Sequence, residues 1–290
     1  MDGSQGMILA ARDIQLTFPR PALVMGIVNV TPDSFSDGGK FMDPDKAVAY
    51  GLEMVGQGAE ILDIGGESTR PDATPVPQDE ELRRVIPVIE RLAAQSAAII
   101  SIDTRKPGVA REAIKAGAKL VNDTAAHVNE EEMWSVLAES GAGYVCMHAL
   151  GTPQTMQIKP EYRDPIWEIL NFFGHRFEQM TAAGVHAERI IFDPGFGFGK
   201  TARHNLQLLA SLRSFKIFNR PLLVGISRKS FMGTLLGLEV NQRLAASVAG
   251  ACWAVEHGAN ILRVHDVAAT VQAARLVEAV VEARGQTPIQ

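Results

Sequence analysis

The stretch AIISIDTRKPGVAREAIKAGAKLVNDTA, residues 98–125, contains one complete strand–helix–strand unit. Two short apolar runs predict buried strands, and they end in polar residues, Asp103 in the first and Asn122 in the second. The segment between them is rich in Ala, Arg and Lys, which favour helices. A helix between successive strands predicts a parallel sheet with helices packed outside it.

The same alternation continues on both sides of this unit. We predict strands near 23–29, 60–65, 98–103, 119–122, 143–148, 188–193, 221–227 and 260–264. We predict helices near 44–57, 78–95, 107–117, 130–140, 165–183, 203–212, 241–257 and 267–284. Eight strand–helix units in 290 residues predict an α/β fold, a single (β/α)8 TIM barrel. An open doubly wound sheet is the alternative.

The domain organisation follows from the lack of a linker. No repeat, low-complexity tract or Pro/Gly-rich linker divides the chain, so we expect one domain over 1–290 with its core at about 22–284. The short N-terminal segment is expected to form a hairpin that closes the bottom of the barrel.

Composition limits the classes of function. Hydrophobic residues make up 46% and charged residues 21% of the chain, as in ordinary globular proteins. The formal charge of -5 argues against a general nucleic-acid binder, because phosphate binding needs a basic surface. No signal peptide or membrane span is expected, and Cys146 and Cys252 lack metal-ligand spacing. We therefore expect a cytoplasmic protein.

Every predicted strand ends in polar or charged residues, which in the fifth strand follow Met147. They are Asn29; Glu67, Ser68, Thr69 and Arg70; Asp103; Asn122 and Asp123; His148; Asp193; Ser227, Arg228, Lys229 and Ser230; and Arg263, His265 and Asp266. In a barrel these strand ends meet at one rim, where active sites of this fold are built. The alternative for any one of them is a helix cap, and for Arg263 and His265 a salt bridge with an acid such as Asp266.

The charged groups fall into two sets. Asp103, Asn122 and Asp193 offer carboxylates and an amide that suit a flat heterocycle with several N–H donors. The other set is basic and predicts an anion site; it contains Arg70, Lys229, Arg263 and His265. The segment DPGFGFGK lacks the spacing of a Walker motif, so its glycines indicate turns, and one of its two phenylalanines is expected to cover a ligand or pack on the rim.

The ordered motifs of the chain resemble those of bacterial dihydropteroate synthases. They are GIVNVTPDSFSDGG, DIGGESTRP, SIDT, ND, MH with GTP, DPGFGFGK, SRKS and RVHD, which run from residue 26 to residue 266. The resemblance implies that the chain joins 6-hydroxymethyl-7,8-dihydropterin diphosphate to 4-aminobenzoate. The products are 7,8-dihydropteroate and diphosphate. It also implies a homodimer.

The resemblance assigns roles to individual residues. The pterin pocket would contain Asp103, Asn122, Met147, Asp193 and Lys229; the diphosphate site Asn29, Thr69, Arg70, Arg263 and His265; the aminobenzoate site Phe35, Thr69, Pro71, Phe198, Lys229 and Ser230. Asn29 would also bind Mg²⁺, the implied cofactor, and Asp103, Asp193 and Lys229 would be catalytic. The family departures Asp72, Thr124–Ala126 and Ala149–Leu150 lie beside these residues, with an effect that the sequence leaves open.

Three other interpretations stay open from the sequence. A methyltetrahydrofolate–corrinoid methyltransferase would share the pterin-binding acids but not the loops after the first two strands. A Schiff-base aldolase would use Lys229, which needs a lowered pKa. A pterin-binding paralogue without activity is disfavoured by the intact site residues.

Overall fold

The computed structural model describes residues 6–31, 43–68, 73–124, 130–151, 155–156 and 158–286, with side chains through residue 284. Two sheets lie within these ranges. Their strands are β1 (Met7–Ala11), β2 (Ile14–Phe18), β3 (Leu23–Asn29), β4 (Ile61–Gly65), β5 (Ile99–Asp103), β6 (Leu120–Asp123), β7 (Gly143–Met147), β8 (Ile190–Asp193), β9 (Leu223–Val224) and β10 (Ile261–Val264).

Strands β3 to β10 form a closed parallel barrel. The sheet order is β8-β7-β6-β5-β4-β3-β10-β9, and every neighbouring pair is parallel. A parallel bridge between Phe192 and Leu222 joins the two ends of this order, and the Phe192 N–H donates to the Pro221 carbonyl at 3.0 Å. The (β/α)8 prediction is therefore confirmed, and the open doubly wound alternative is wrong.

Helices pack around the barrel. They are α1 (Pro44–Gly56), α2 (Gln78–Gln95), α3 (Pro107–Ala116), α4 (Glu130–Ser140), α5 (Pro165–Ala182), α6 (Ala202–Ala210), α7 (Ser230–Leu236), α8 (Leu244–Glu256) and α9 (Val267–Gln286). Helix α2 shows why the sequence forms them. Its first turn is acidic, which suits the positive helix N-terminus, and Val85, Val88, Ile89 and Leu92 are buried against the barrel. Pro87 lies inside this continuous helix.

The N-terminal strands β1 and β2 pair as an antiparallel hairpin that closes the bottom of the barrel. We define the floor cluster as the buried apolar residues that the hairpin shares with the barrel interior: Leu9, Ala11, Phe18, Leu23, Met25, Ile61, Leu120, Val145, Ile191, Leu223 and Ile261. Burying one Leu or Phe side chain stabilises a fold by about 1.5–3 kcal/mol, and Leu9 and Phe18 are each only 2% exposed. The predicted hairpin is therefore confirmed.

The main local difference from the prediction follows β9. This strand ends at Val224, although the sequence predicted strand as far as residue 227. Arg228 has a left-handed φ of 57°, which no strand accommodates, and the unpredicted helix α7 begins two residues later. None of the described helices is both long and apolar enough to cross a bilayer.

Candidate active site

A hydrogen-bond network crosses the barrel interior above the floor cluster. Asp63 on β4 is fully buried and accepts from Ser101 Oγ at 2.6 Å and from Asn122 Nδ2 at 2.8 Å. Arg263 on β10 bridges two carboxylates, with its Nε donating to Asp63 and one Nη to Asp103, each at 2.6 Å. The network therefore fixes groups from four strands relative to one another.

Burial makes the Asp103 side chain a weaker acid than an exposed aspartate. The side chain is 6% exposed at the end of β5, and loss of solvation raises the pKa of Asp103 to about 7. The guanidinium of Arg263 opposes this rise, whereas the negative charge of Asp63 adds to it. Asp103 therefore changes its charge near neutral pH.

Asp193 ends β8 in a similar setting. Its Oδ1 accepts the N–H of Gly195 at 2.7 Å, which holds the carboxylate against its own loop. Burial raises the pKa of Asp193 to about 6, while the Gly195 hydrogen bond and the ammonium of Lys229 act in the opposite direction. The carboxylate is thus ionised in most molecules at pH 7.

Lys229 lies just before α7, and the glycine-rich loop after β8 shapes its position. A Cβ added at Gly197 would come 3.1 Å from Lys229 Cδ, so the lysine stem lies directly against the backbone there. Its Nζ is 4.1 Å from the centre of the Phe198 ring, within cation–π distance. Burial lowers the pKa of Lys229 to about 8, and the like charge of Arg263 lowers it further, whereas Asp193 and Asp103 raise it.

A buried lysine joins the loops after β7 and β8. Lys200 is 3% exposed, and its Nζ donates to the carbonyl oxygens of Gly195 at 2.9 Å, Phe198 at 3.0 Å and His148 at 3.2 Å. Its Nζ is also 3.0 Å from His148 Nδ1. These bonds hold Phe198 at the site, whereas Phe196 is 1% exposed and packs in the core.

The loops after β9 and β10 are also joined to each other. Ser227 Oγ accepts the backbone N–H of His265 at 3.2 Å and is 3.0 Å from its Nδ1. Arg228 donates to both carboxylate oxygens of Asp266, at 3.0 and 2.5 Å, and its own N–H donates to Ser247 Oγ at 2.9 Å. These bonds hold the left-handed Arg228 that places Lys229.

His265 is uncharged in this arrangement. Burial lowers the pKa of His265 to about 4, and the nearby Arg263 and Arg228 lower it further. When the Ser227 hydroxyl donates to Nδ1, the ring proton lies on Nε2, where it can donate to an anion.

Most of the predicted site residues that lie in the described ranges meet at this end of the barrel. Asp103, Asn122, Asp193, Lys229 and Arg263 are close enough to share hydrogen bonds or to shift one another's pKa. Met147 is buried at the end of β7, Asn29 is partly buried at the end of β3, and Ser230 is exposed at the start of α7. The predictions for Phe35, Thr69, Arg70 and Pro71, and the departures Asp72 and Ala125–Ala126, fall outside the described residues.

Three residues of the site were not predicted to have a role there. Asp63 is the centre of the interior network, Lys200 fixes the β8 loop, and Arg228 is paired with Asp266. Asp63 carried a usable signal, because a carboxylate inside the apolar strand ILDIG is costly to bury unless it is paired. The alternative of a salt bridge for Arg263 is correct, although its acids are Asp63 and Asp103 and not Asp266.

The chemistry of the site is electrostatic. Buried carboxylates at the ends of β5 and β8 interact with the partly buried cations Lys229 and Arg263, so charge that develops on a bound heterocycle or a leaving anion finds a fixed opposite charge. Within the described residues no group of three or more His, Cys, Asp or Glu side chains is arranged to hold a metal ion.

Comparison with known proteins identifies the family. The family described as "Pterin binding enzyme" matches residues 25–265. The dihydropteroate synthase of Escherichia coli K12 is 47% identical over 278 residues, which cover 96% of this chain and 98% of that protein. The Yersinia pestis dihydropteroate synthase solved in a sulfonamide drug complex has a TM-score of 0.89 and 47% identity, covering 95% of this chain and all of that one.

A second similar structure was solved with 7,8-dihydropteroate bound. The dihydropteroate synthase from Xanthomonas albilineans in complex with 7,8-dihydropteroate has a TM-score of 0.85 and 46% identity, covering 94% of this chain and 98% of that chain. On the family match, the near-complete overlap and the shared barrel, the chain belongs to the pterin-binding enzymes and, within them, to the dihydropteroate synthases.

Proposed function

We propose that the residues at the barrel rim bind 6-hydroxymethyl-7,8-dihydropterin diphosphate and 4-aminobenzoate. The reaction joins them to give 7,8-dihydropteroate and diphosphate, so the enzyme is a transferase of folate synthesis. The single observation that carries the residue assignment is the buried constellation of Asp103, Asn122, Asp193, Lys229 and Arg263. Its acceptors face a heterocycle rich in N–H groups, and its cations suit an anionic leaving group.

The pterin half of the substrate is assigned to the deeper residues. Asp193 accepts from the amino and ring N–H groups, and Asn122 and Asp103 offer further acceptors on neighbouring strands. Met147, which is 2% exposed, packs against the flat ring. Lys229 supplies the donor for the ring's acceptor atoms.

The diphosphate is assigned to the residues after β3, β4 and β10. Arg263 uses Nε and one Nη on carboxylates, which leaves its other Nη without a partner among the described residues and able to donate to phosphate oxygens. His265 donates from Nε2 as a neutral imidazole. Asn29 contributes its amide, and Thr69 and Arg70 complete the proposed site.

The residues near Asn29 fit a magnesium ion that has few protein ligands. The Asn29 side chain has no hydrogen-bond partner in the described part of the chain, and no cluster of acidic ligands surrounds it there. One amide oxygen suits a cation that keeps several waters and binds mainly through phosphate oxygens. When bound, Mg²⁺ would neutralise charge on the diphosphate.

The aminobenzoate is assigned to the outer part of the site. The Lys229 ammonium lies over the Phe198 ring. We assign Phe198 and the Lys229 side chain to one wall, with Phe35, Thr69 and Pro71 proposed as the others. The Ser230 hydroxyl, exposed at the start of α7, receives the carboxylate. This arrangement leaves the amine directed towards the pterin.

The mechanism follows from the placement of charge. As diphosphate leaves, positive charge spreads into the dihydropterin ring, where the carboxylates of Asp103 and Asp193 stabilise it. The negative charge on the leaving group is stabilised by Arg263, Lys229 and the Nε2–H of His265. The amine of 4-aminobenzoate is already a neutral nucleophile, so its attack needs no strong protein base.

A direct assay tests the function and the cofactor. We expect purified protein with Mg²⁺ and both substrates to form 7,8-dihydropteroate and diphosphate in equal amounts, measured by chromatography and a phosphate-coupled assay. We expect EDTA to lower the rate at least tenfold and added Mg²⁺ to restore it, because the uncompensated charge of the leaving group raises the barrier. Absence of both products overturns the function, whereas full activity in EDTA overturns only the cofactor.

We further propose a homodimer formed through helices α8 and α9. Large apolar side chains are exposed there: Leu244, Trp253, Leu276, Val280 and Val281. Leu276 is 67% exposed, which is costly on a helix that faces water alone. A second copy of the same chain covers such a surface without adding another protein.

Light scattering tests the homodimer. We expect a solution mass of twice the 31.3 kDa chain, and the Leu276→Glu/Val280→Glu variant to shift towards the monomer because buried carboxylates oppose the contact. Ile217→Glu is the matched control, since Ile217 is 78% exposed outside α8 and α9. A monomeric wild-type chain, or a double variant that stays dimeric, contradicts this interface.

The remaining proposals concern location and domain organisation. We place the enzyme in the cytoplasm, which is supported by the two free thiols of Cys146 and Cys252, as expected in a reducing compartment. We also propose that 1–290 forms one domain. The uninterrupted barrel order from Leu23 to Val264 supports this proposal.

A further inference from the structure

One buried polar atom inside the barrel has no partner among the described residues. Asn122 is 2% exposed, and its Oδ1 is buried without a hydrogen bond to any of the described residues. Its Nδ2, in contrast, donates to Asp63 at 2.8 Å. A buried acceptor without a donor costs about 1–3 kcal/mol, so such an atom is expected where a ligand supplies the donor.

Asp63 determines which end of the amide has the partner. An ionised carboxylate only accepts hydrogen bonds, so the end of Asn122 that faces it must be the NH2 group. Asp63 cannot turn away, because Ser101 Oγ holds one of its oxygens and Arg263 Nε the other, both at 2.6 Å. The amide oxygen of Asn122 is therefore the end left for a ligand.

The position of this oxygen suits a ligand at the rim. Asn122 on β6 is the register partner of Asp103 on β5, so the amide lies level with a carboxylate assigned to the pterin. An amide that turned round would present NH2 and repel an amino group on the ligand. The orientation of the Asn122 amide therefore determines whether the site prefers a heterocycle with a hydrogen-bond donor at this position or one with an acceptor there.

We propose that Asp63 is a positioning residue that orients the Asn122 amide and so makes the site select a heterocycle carrying an amino group. This inference rests on the proposed pterin site. Asp63 itself touches no substrate in this proposal; it acts through Asn122. Asp63 also holds Arg263 in place, and the test must distinguish this second role from the orientation of Asn122.

The test compares binding of 6-hydroxymethylpterin with binding of its 2-desamino analogue by titration calorimetry. We expect Asp63→Ala to lower the wild-type preference for the amino compound about tenfold, because the amide of Asn122 is then free to turn. We expect Asp63→Asn to keep the preference. Since the Ser101 hydroxyl can accept as well as donate, the amide introduced by Asp63→Asn can donate to Ser101 and keep its oxygen towards Asn122 and Arg263.

A control and a second test variant complete the design. Ser101→Ala is the matched control, because it removes a bond to Asp63 but leaves the bond to Asn122, and we expect it to keep the preference. If Asp63→Ala does not fold, Asp63→Leu serves as the test, because an apolar side chain of similar shape also removes the acceptor that orients Asn122. We expect Asp63→Leu to lower the preference about tenfold, and full preference in this variant overturns the inference in the same way.

The possible results distinguish a failure of this inference from a failure of the proposed pterin site. Full preference in Asp63→Ala overturns the inference. An equal loss in Asp63→Asn also overturns it, since charge and not orientation would then be responsible. A wild-type enzyme with no preference at all contradicts the pterin assignment of Asn122 instead.

Discussion

Replacing Asp193 with Asn is expected to lower kcat/KM for the dihydropterin substrate about 10²–10³-fold, in the range found for losing one fixed electrostatic contact to a transition state. The carboxylate at the end of β8 is 5% exposed and is held by the N–H of Gly195. An amide of the same shape keeps that bond but loses the charge that stabilises a cationic ring. Steady-state kinetics with both substrates, together with circular dichroism, measures the effect.

A neighbouring carboxylate provides the control. Asp123 ends β6, is 1% exposed and accepts from the hydroxyl of Tyr144 at 2.8 Å, away from the proposed substrates. We expect Asp123→Asn to keep kcat/KM within about threefold, since it removes a buried charge of the same kind outside the site. Near-normal turnover by a folded Asp193→Asn enzyme would show that this carboxylate is not part of the site.

Replacing Lys229 with Ala is expected to have an effect of similar size, about 10²–10³-fold in kcat/KM. The ammonium interacts with the carboxylates of Asp193 and Asp103 and lies over the Phe198 ring, beside the proposed aminobenzoate. Loss of the side chain therefore removes both charge and contact. We expect a lower kcat as well as a higher KM for both substrates.

The pH profile identifies Lys229 independently of the size of this loss. In the proposed mechanism Asp103 is ionised and Lys229 is protonated. We therefore expect kcat/KM to rise as pH increases through about 7 and to fall above about 8. We expect the alkaline fall to disappear in Lys229→Ala and to remain in Lys115→Ala, whose lysine is paired with Glu112 on the surface. An unchanged alkaline fall in Lys229→Ala assigns that ionisation to another group.

The order of strands and helices was predictable because the local sequence pattern indicates each of them. Apolar runs such as LVMGIVN are buried on both faces, and proline or aspartate residues begin several of the helices, as at Asp164 and Pro165. The end of β9 was not predictable in this way. There the chain leaves the sheet at a left-handed arginine that only contacts distant in sequence, with Ser247 and Asp266, hold in place.

The site was predictable at strand ends and only in part inside strands. Asp103 and Asp193 follow apolar runs, so the barrel fold alone places them at the rim. Asp63 lies within its strand, and its partners Asn122 and Arg263 come from residues 59 and 200 positions away. Pairings between residues so far apart determine the pKa of Asp103 and the orientation of the Asn122 amide. They can be seen only in the folded chain.

The hairpin closes the lower end of the barrel, so the proposed site opens at the opposite end, at the rim. Leu9 and Phe18 fill the lower end, so a ligand that binds near Asp193 enters from the rim. Because 4-aminobenzoate is assigned to the outer part of the site, we expect the pterin to bind first and an aminobenzoate analogue that binds early to block its entry. We also expect diphosphate and the joined product to leave through the same opening, so that their departure competes with the arrival of the next pair of substrates.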